Sequence, residues 1–225
     1  MKTKRPRSLQ AKIELAAEVI RLLKKYYPVT ECALIHKNPF ELLIATILSA
    51  QCTDVRVNQV TPSLFAKYPR PKSFAEAELE ELEQDLRSIN FYRNKSKNIK
   101  DCCLTLLQDF SGEVPQSLEE LTKLAGVGRK TANVVLGVGF RHPSGVVVDT
   151  HVGRLSNRLG FVKGENAVLM ERELNKIVPR DDWIDFSHRL IDHGRKVCKA
   201  QKPRCEVCFL ADICPSAELT QKRST

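Results

Sequence analysis

Four cysteines near the C-terminus, Cys198, Cys205, Cys208 and Cys214, form a C-x6-C-x2-C-x5-C array. Clustered thiols in a chain without an export signal read as metal or iron–sulfur ligands rather than disulfides. Four thiolates suit tetrahedral zinc or a [4Fe–4S] cube, and the spacing alone does not choose between them. The array lies in basic surroundings. Arg195, Lys196, Lys199, Lys202 and Arg204 fall in one stretch with no acidic residue. A metal loop with that charge suits an anionic polymer.

A second chemical signal is LTKLAGVGRKTANVV at 121–135. It reads as helix, tight turn, helix. Gly126 and Gly128 permit positive φ and close backbone approach. The second helix starts right after Gly128, so free N–H groups and the positive end of its dipole lie there, where a phosphate fits. An ordinary glycine-containing helix turn is the plainer reading. Lys130 falls in the first turn of that second helix. Its plainer role is a solvated side chain or a phosphate contact. The helix start and the adjacent Arg129 nevertheless disfavour a charged amine, and an amine nucleophile must be neutral.

A third signal is the apolar run Val146–Val148, which ends at Asp149, followed by Thr150 and His151. A helix is expected to start here with Asp149 as its N-cap. A cap fixes a carboxylate in place, which also suits a role opposite Lys130. His151 fits core packing, a phosphate contact or support of a neighbour equally well.

The elements that must position these groups read as helical almost throughout. Ile13, Ala16, Ala17, Ile20 and Leu23 predict a first helix closed by Pro28. Phe40, Leu43, Ile44, Ile47 and Leu48 predict a second, with Pro39 in its first turn. Ser73 with Glu76, and Ser117 with Glu120, read as capping boxes. Ile99, Cys102, Cys103, Leu106 and Phe110 give another stripe. Ala167, Met170, Leu174 and Ile177 give a helix that stops at Pro179. A last helix is expected from Trp183 to Gly194. Only Val146–Val148 looks extended, and it is too short to found a sheet. Cys32, Cys52, Cys102 and Cys103 lie on apolar-periodic stretches and read mostly as buried free thiols. Pro and Gly punctuate 112–115 and 141–145.

Composition agrees with a nucleic-acid partner. The 225 residues carry a formal net charge of +9, the electrostatic footprint of such proteins. No apolar run is long enough for a membrane span. The opening MKTKRPRSLQ lacks the apolar core of a signal peptide and is expected to be a disordered basic arm. An intracellular protein is expected, cytoplasmic and associated with the nucleoid if bacterial, and monomeric.

In their order along the chain, GVGRKTANVV, VVDTH and the cysteine array resemble the endonuclease III family of DNA glycosylases. LSAQCTD at 48–54 resembles the family's LSAQ-x-TD segment. The likeness runs from about residue 10 to 215. It implies an all-α, two-lobed helix–hairpin–helix glycosylase fold with a cleft between the lobes. Residues 32–143 would form a six-helix barrel lobe, and 1–31 with 144–225 an iron–sulfur lobe. The implied cofactor is a [4Fe–4S] cluster on Cys198, Cys205, Cys208 and Cys214. Lys130 is the implied nucleophile and Asp149 the implied carboxylate. The implied DNA contacts are Gln51, Phe91, Gly126, Val127, Gly128, Arg129, Thr131, His151 and Lys202. Gln51 would enter the duplex where the base leaves. Phe91 stands where the family often has a leucine wedge, and Ala125 where it often has proline. The implied partner is duplex DNA holding oxidised pyrimidines or abasic sites. Two rivals share part of the pattern. Monofunctional mismatch or adenine glycosylases typically lack the hairpin lysine. A non-catalytic DNA-binding protein would leave Lys130 and Asp149 idle.

Overall fold

The computed structural model describes residues 4–217. Eleven α-helices follow in chain order: α1 (Leu9–Tyr26), α2 (Pro39–Ser49), α3 (Asp54–Lys67), α4 (Pro71–Glu76), α5 (Leu79–Asp85), α6 (Tyr92–Asp109), α7 (Leu118–Leu121), α8 (Arg129–Val134), α9 (Thr150–Leu159), α10 (Ala167–Leu174) and α11 (Trp183–Lys196). No strand occurs among the described residues. None of their helices is long and apolar enough to cross a membrane. The chain divides into two compact units. One takes the chain up to Glu31 and again from Gly145, and the other is Cys32–Ser144.

The Cys32–Ser144 unit is built around α2. Asn38 caps it through its side chain, which accepts from the Glu41 N–H, and Pro39 opens it. Phe40 and every residue from Leu42 to Leu48 are buried, and Glu41 between them is half-buried, so this is a central helix with almost no solvent face. Each buried Leu or Ile here contributes at most about 1.5–3 kcal/mol. Leu64, Phe74, Leu82, Ile99, Leu106 and Leu121 join it in one core. Cys102 and Cys103 are fully buried in that core, while Cys32 and Cys52 are half-buried at its edge. Burial pushes the Cys102 thiol up to about 12, which marks an inert packing residue.

The other unit packs α1 through Ala16, Val19, Ile20 and Leu23 against Val152, Leu155, Met170, Leu174, Phe186 and Leu190. Ser8 caps α1. Thr30 bonds Asp185 at 2.7 Å and Arg189 bonds the Tyr27 carbonyl at 3.0 Å, which fastens the end of α1 to α11.

Several local expectations fail. Ser73 does not cap a helix; it is the third residue of α4, and its hydroxyl accepts from the Arg70 N–H at 3.2 Å. Pro71, pre-set for a helix start, opens that helix earlier. Ser117 does cap α7, accepting from the Glu120 N–H and donating to its carboxylate. The N-terminal arm, expected to be disordered, is laid on its own unit from Arg5 onward. Pro6 lies 3.0 Å from where a Cβ on Gly160 would stand, and Arg5 reaches the Ser216 hydroxyl. Gly160, left-handed at φ +79°, supplies both the turn that ends α9 and the room for the arm. Residues 1–3 of the arm lie outside the described residues.

Candidate active site and metal loop

The hairpin hangs from the core of the Cys32–Ser144 unit. Leu124 and Val127 are buried, and the Val127 N–H donates to the Leu124 carbonyl at 3.1 Å. Val127 therefore anchors the turn, with its side chain in the core and its amide already committed. Gly126 takes φ +76°. A Cβ on it would stand 3.1 Å from Asn98 Cβ of α6 and 3.4 Å from Ile47 of α2. Gly128 does not use that freedom. Its φ of −89° is ordinary extended backbone, and a Cβ there would meet nothing within 4 Å. Only Gly126 needs positive φ; the use of Gly128 is to leave the helix start uncovered. Beyond it, Arg129 and Lys130 are exposed in the first turn of α8, and Thr131 is half-buried. A π-helical segment, Val135–Gly139, continues α8 and was not legible in the sequence. Gly139 lets it close on α2, since a Cβ there would stand 3.4 Å from Leu42 and Pro39.

These two glycines separate strain from contact. Gly126→Ala is expected to destabilise the protein by about 1–3 kcal/mol in urea unfolding. Gly128→Ala should leave stability within about 0.5 kcal/mol and still weaken DNA binding. Equal stability losses in the two variants would contradict this assignment.

Gln51 and Phe91, in the same unit, share an uncommon geometry. Both are left-handed, at φ +52° and +57°, and both are exposed, Phe91 by 61%. Non-glycine residues held this way cost about 1–3 kcal/mol each and concentrate at functional positions. Asn90 and Lys95, which the sequence reading passed over, bond the segment that carries Gln51. The available signal was Lys95 itself, a lysine one turn before Ile99 on the buried stripe of α6.

Asp149 lies in the other unit. Val146 and Val148 are buried, and side chains pin the extended run in place of a sheet. Asn175 accepts from the Val146 N–H and Ser187 from the Val147 N–H, each at 3.0 Å. Asp149 then caps α9, Oδ1 accepting from the Val152 N–H at 2.8 Å. A carboxylate is favoured at this end of a helix. One oxygen is held by the cap, and the group is half-buried. His151 Nδ1 lies 3.1 Å from Arg154 Nη2, and the ring packs against Gly194. Since the guanidinium only donates, Nδ1 accepts.

Arg154 and Arg158 carry α9 onto the cysteine loop. Arg154 donates to the carbonyls of Cys198 and Gly194 at 3.0 and 3.2 Å. Arg158 donates to Cys198 Sγ at 3.1 Å and to the Lys199 and Ala200 carbonyls at 2.8 and 2.9 Å. On the far side His193 Nε2 lies 3.4 Å from Cys208 Sγ, and its Nδ1 lies 3.1 Å from the Tyr27 hydroxyl. All four cysteines are half-buried, and Cys208 lies within electrostatic reach of the other three. Burial pushes the Cys208 thiol up to about 11, so holding it as thiolate requires cationic charge beside it. Among the described residues no three His, Cys, Asp or Glu side chains come close enough to hold a single metal ion. A tetrahedral zinc site would draw its sulfurs to within about 3.8 Å of one another around metal–sulfur bonds of about 2.3 Å. Four thiolates close together suit such a site or a cube in which each sulfur binds one iron. The five basic residues of 195–204 are exposed. Lys196 pairs with Asp192 at 3.3 Å and Arg204 with Glu206 at 3.8 Å.

Cys208→Ser is expected to lower iron content and to lower the unfolding midpoint, because a lost ligand removes a cross-link between α11 and the loop. Full iron content in that variant would contradict the ligand set.

Known proteins share this architecture. Residues 44–180 match the HhH-GPD superfamily of base excision DNA repair proteins. Residues 198–214, from the first cysteine of the array to the last, match the iron–sulfur binding domain of endonuclease III. Endonuclease III of Synechocystis sp. is 50% identical over 212 residues, covering 94% of this chain and 97% of that protein. A non-covalent endonuclease III–DNA complex superposes with TM-score 0.89 at 46% identity, covering 93% of this chain and 98% of that one. A trapped endonuclease III–DNA covalent intermediate superposes with TM-score 0.88 at 47% identity, covering 95% and 99%. The cofactor is a [4Fe–4S] cluster, and the chain belongs to the endonuclease III family of base excision repair enzymes.

Proposed function

We propose that this enzyme is a bifunctional glycosylase and lyase that excises oxidised pyrimidines, with Lys130 as nucleophile and Asp149 as its carboxylate partner. The observation that carries the reading is Lys130 itself, exposed in the first turn behind an uncovered hairpin glycine. The likeness to an endonuclease III trapped covalently on DNA supports it.

The steps follow from these groups. A base inside a duplex shields its sugar carbon, so the nucleotide is first turned out of the stack. The Lys130 amine bonds to C1′ as the glycosidic bond breaks, and the base leaves with that electron pair. Asp149 takes up the amine proton or balances the positive charge that develops on the sugar. Opening of the sugar ring gives a Schiff base. Loss of a C2′ proton then expels the 3′ phosphate and cuts the strand on that side. The hairpin amides and the loop residues 195–204 hold phosphates and carry no sequence information. Cys198, Cys205, Cys208 and Cys214 would hold the cluster, which would supply cross-linking of the basic loop rather than chemistry at the sugar. The protein acts as a monomer inside the cell.

Single-turnover assays on duplexes with thymine glycol, other oxidised pyrimidines, mismatches and abasic sites test this function. Release of oxidised pyrimidines coupled to strand cleavage is expected. Base release without cleavage would instead assign the monofunctional chemistry. No release on any lesion would assign a binding protein.

DNA affinity should also fall steeply with salt. With about four to six phosphates engaged, log K against log salt should slope near −4 to −5. Lys202→Ala should weaken binding to damaged and undamaged duplex alike and make the slope shallower by about one. A slope near zero would contradict this interface.

A further inference from the structure

Gln51 and Phe91 are 40 positions apart in sequence, yet their backbones are tied together. The Asn90 side chain donates from Nδ2 to the Gln51 carbonyl at 2.8 Å. Lys95 Nζ donates to the Leu48 carbonyl at 2.8 Å and to the Ala50 carbonyl at 2.6 Å. Residues 90 and 95 thus flank Phe91 and grip three of the four consecutive carbonyls of 48–51. Two of those belong to the end of α2, where carbonyls lack helical partners and a cation is favoured.

Lys95 is an expensive way to close a helix. Its side chain is buried, with the residue only 5% exposed, and its two bonds go to carbonyls rather than to a carboxylate. Burying an ammonium among neutral partners costs far more than leaving helix-end carbonyls to water or to a glycine turn. Burial accordingly lowers the Lys95 pKa below the ordinary lysine value. What this arrangement provides is fixed geometry. Phe91 is the N-cap of α6 and Lys95 lies in that helix's first turns, so the ammonium locks the start of α6 to the end of α2. Each of the two exposed left-handed residues then stands on a braced loop.

We infer that Asn90 and Lys95 are positioning residues that make Gln51 and Phe91 a single rigid fork for parting a lesion from its opposite base. The inference rests on the reading of this site as a base-excising one. Held as a unit, the two side chains enter the duplex without a separate ordering cost for each loop. With the brace cut, each loop moves independently, and a misplacement of about 1 Å can cost as much as 100-fold in rate. The chemistry at the sugar, carried by other residues, is untouched.

The test separates opening of the duplex from chemistry. Asn90→Ala, at an exposed position, and Lys95→Met, which keeps length without charge, are compared with the unaltered protein. The first probe is a duplex with a non-cleavable abasic analogue opposite 2-aminopurine, whose fluorescence rises on unstacking. Both variants should bind it within about threefold of the unaltered protein and give less than about half of its fluorescence rise. The second probe is thymine glycol placed either opposite adenine or opposite a one-nucleotide gap, where no base must be parted. Excision should fall about tenfold on the paired lesion and less than about twofold on the gapped one. Adding Asn90→Ala to a variant that carries both Gln51→Ala and Phe91→Ala should cause no further loss, since the brace acts through those two side chains. Normal fluorescence in Asn90→Ala, equal losses on the two thymine glycol duplexes, or additive losses would overturn the inference. Because the fluorescence needs no turnover, it fails or succeeds separately from the excision that tests the proposed function. Asn90→Ala decides the matter if Lys95→Met does not fold.

Discussion

Lys130→Gln is expected to lower single-turnover base excision and strand cleavage together by about 10³-fold or more, the scale on which removal of a covalent nucleophile acts. The fold should be unaffected, since Lys130 is exposed in the first turn of α8 and packs in neither core. Affinity for an abasic-site duplex should change by less than about threefold, because one side chain accounts for at most one phosphate contact. This split is the informative part. A lysine that only touched phosphate would lose affinity and excision in proportion. A nucleophile loses rate with binding nearly intact. Gel-shift titration beside single-turnover kinetics reads both quantities from the same preparations, and proportional losses would return Lys130 to a phosphate contact.

Asp149→Asn is expected to lower excision by about 10²-fold or more while stability stays within about 0.5 kcal/mol of the unaltered protein. Asparagine caps helices as well as aspartate does, so the bond to the Val152 N–H survives and only the charge is removed. Asp149→Ala removes the cap as well and should cost about 1 kcal/mol of stability beyond the same catalytic loss. Comparison of the two variants separates position from charge. If Asp149→Asn excises at a near-normal rate, the carboxylate is a cap and nothing more.

The parts legible in the sequence were those fixed by local physics. Asp149 was read as an N-cap because an extended apolar run meets a helical stripe there, and the cap bond needs only the residues up to Val152. Pro39 at the start of α2 and Ser117 before α7 are of the same kind. The misses involve longer-range competition. Ser73 was read from a four-residue pattern, but Pro71 starts the helix first. Both hairpin glycines permit positive φ, and only the packing of Gly126 between Asn98 and Ile47 decides which of them takes it. The arm packs on Gly160, more than 150 residues away in sequence, and no local pattern reports that. The braces from Asn90 and Lys95 are likewise tertiary, spanning 39 to 47 residues. The two positive-φ residues they support belong to types that carry no sequence mark for that backbone.

The central claim, that the Lys130 amine becomes covalently joined to the sugar during turnover, is tested most directly by borohydride reduction in the presence of a thymine glycol or abasic-site duplex. Borohydride fixes a Schiff base as a stable amine. The prediction is a protein–DNA product whose crosslinked peptide maps to Lys130, and which Lys130→Gln does not form. Vigorous base release without any trapped product, or a crosslink that maps to another amine and persists in Lys130→Gln, would contradict it.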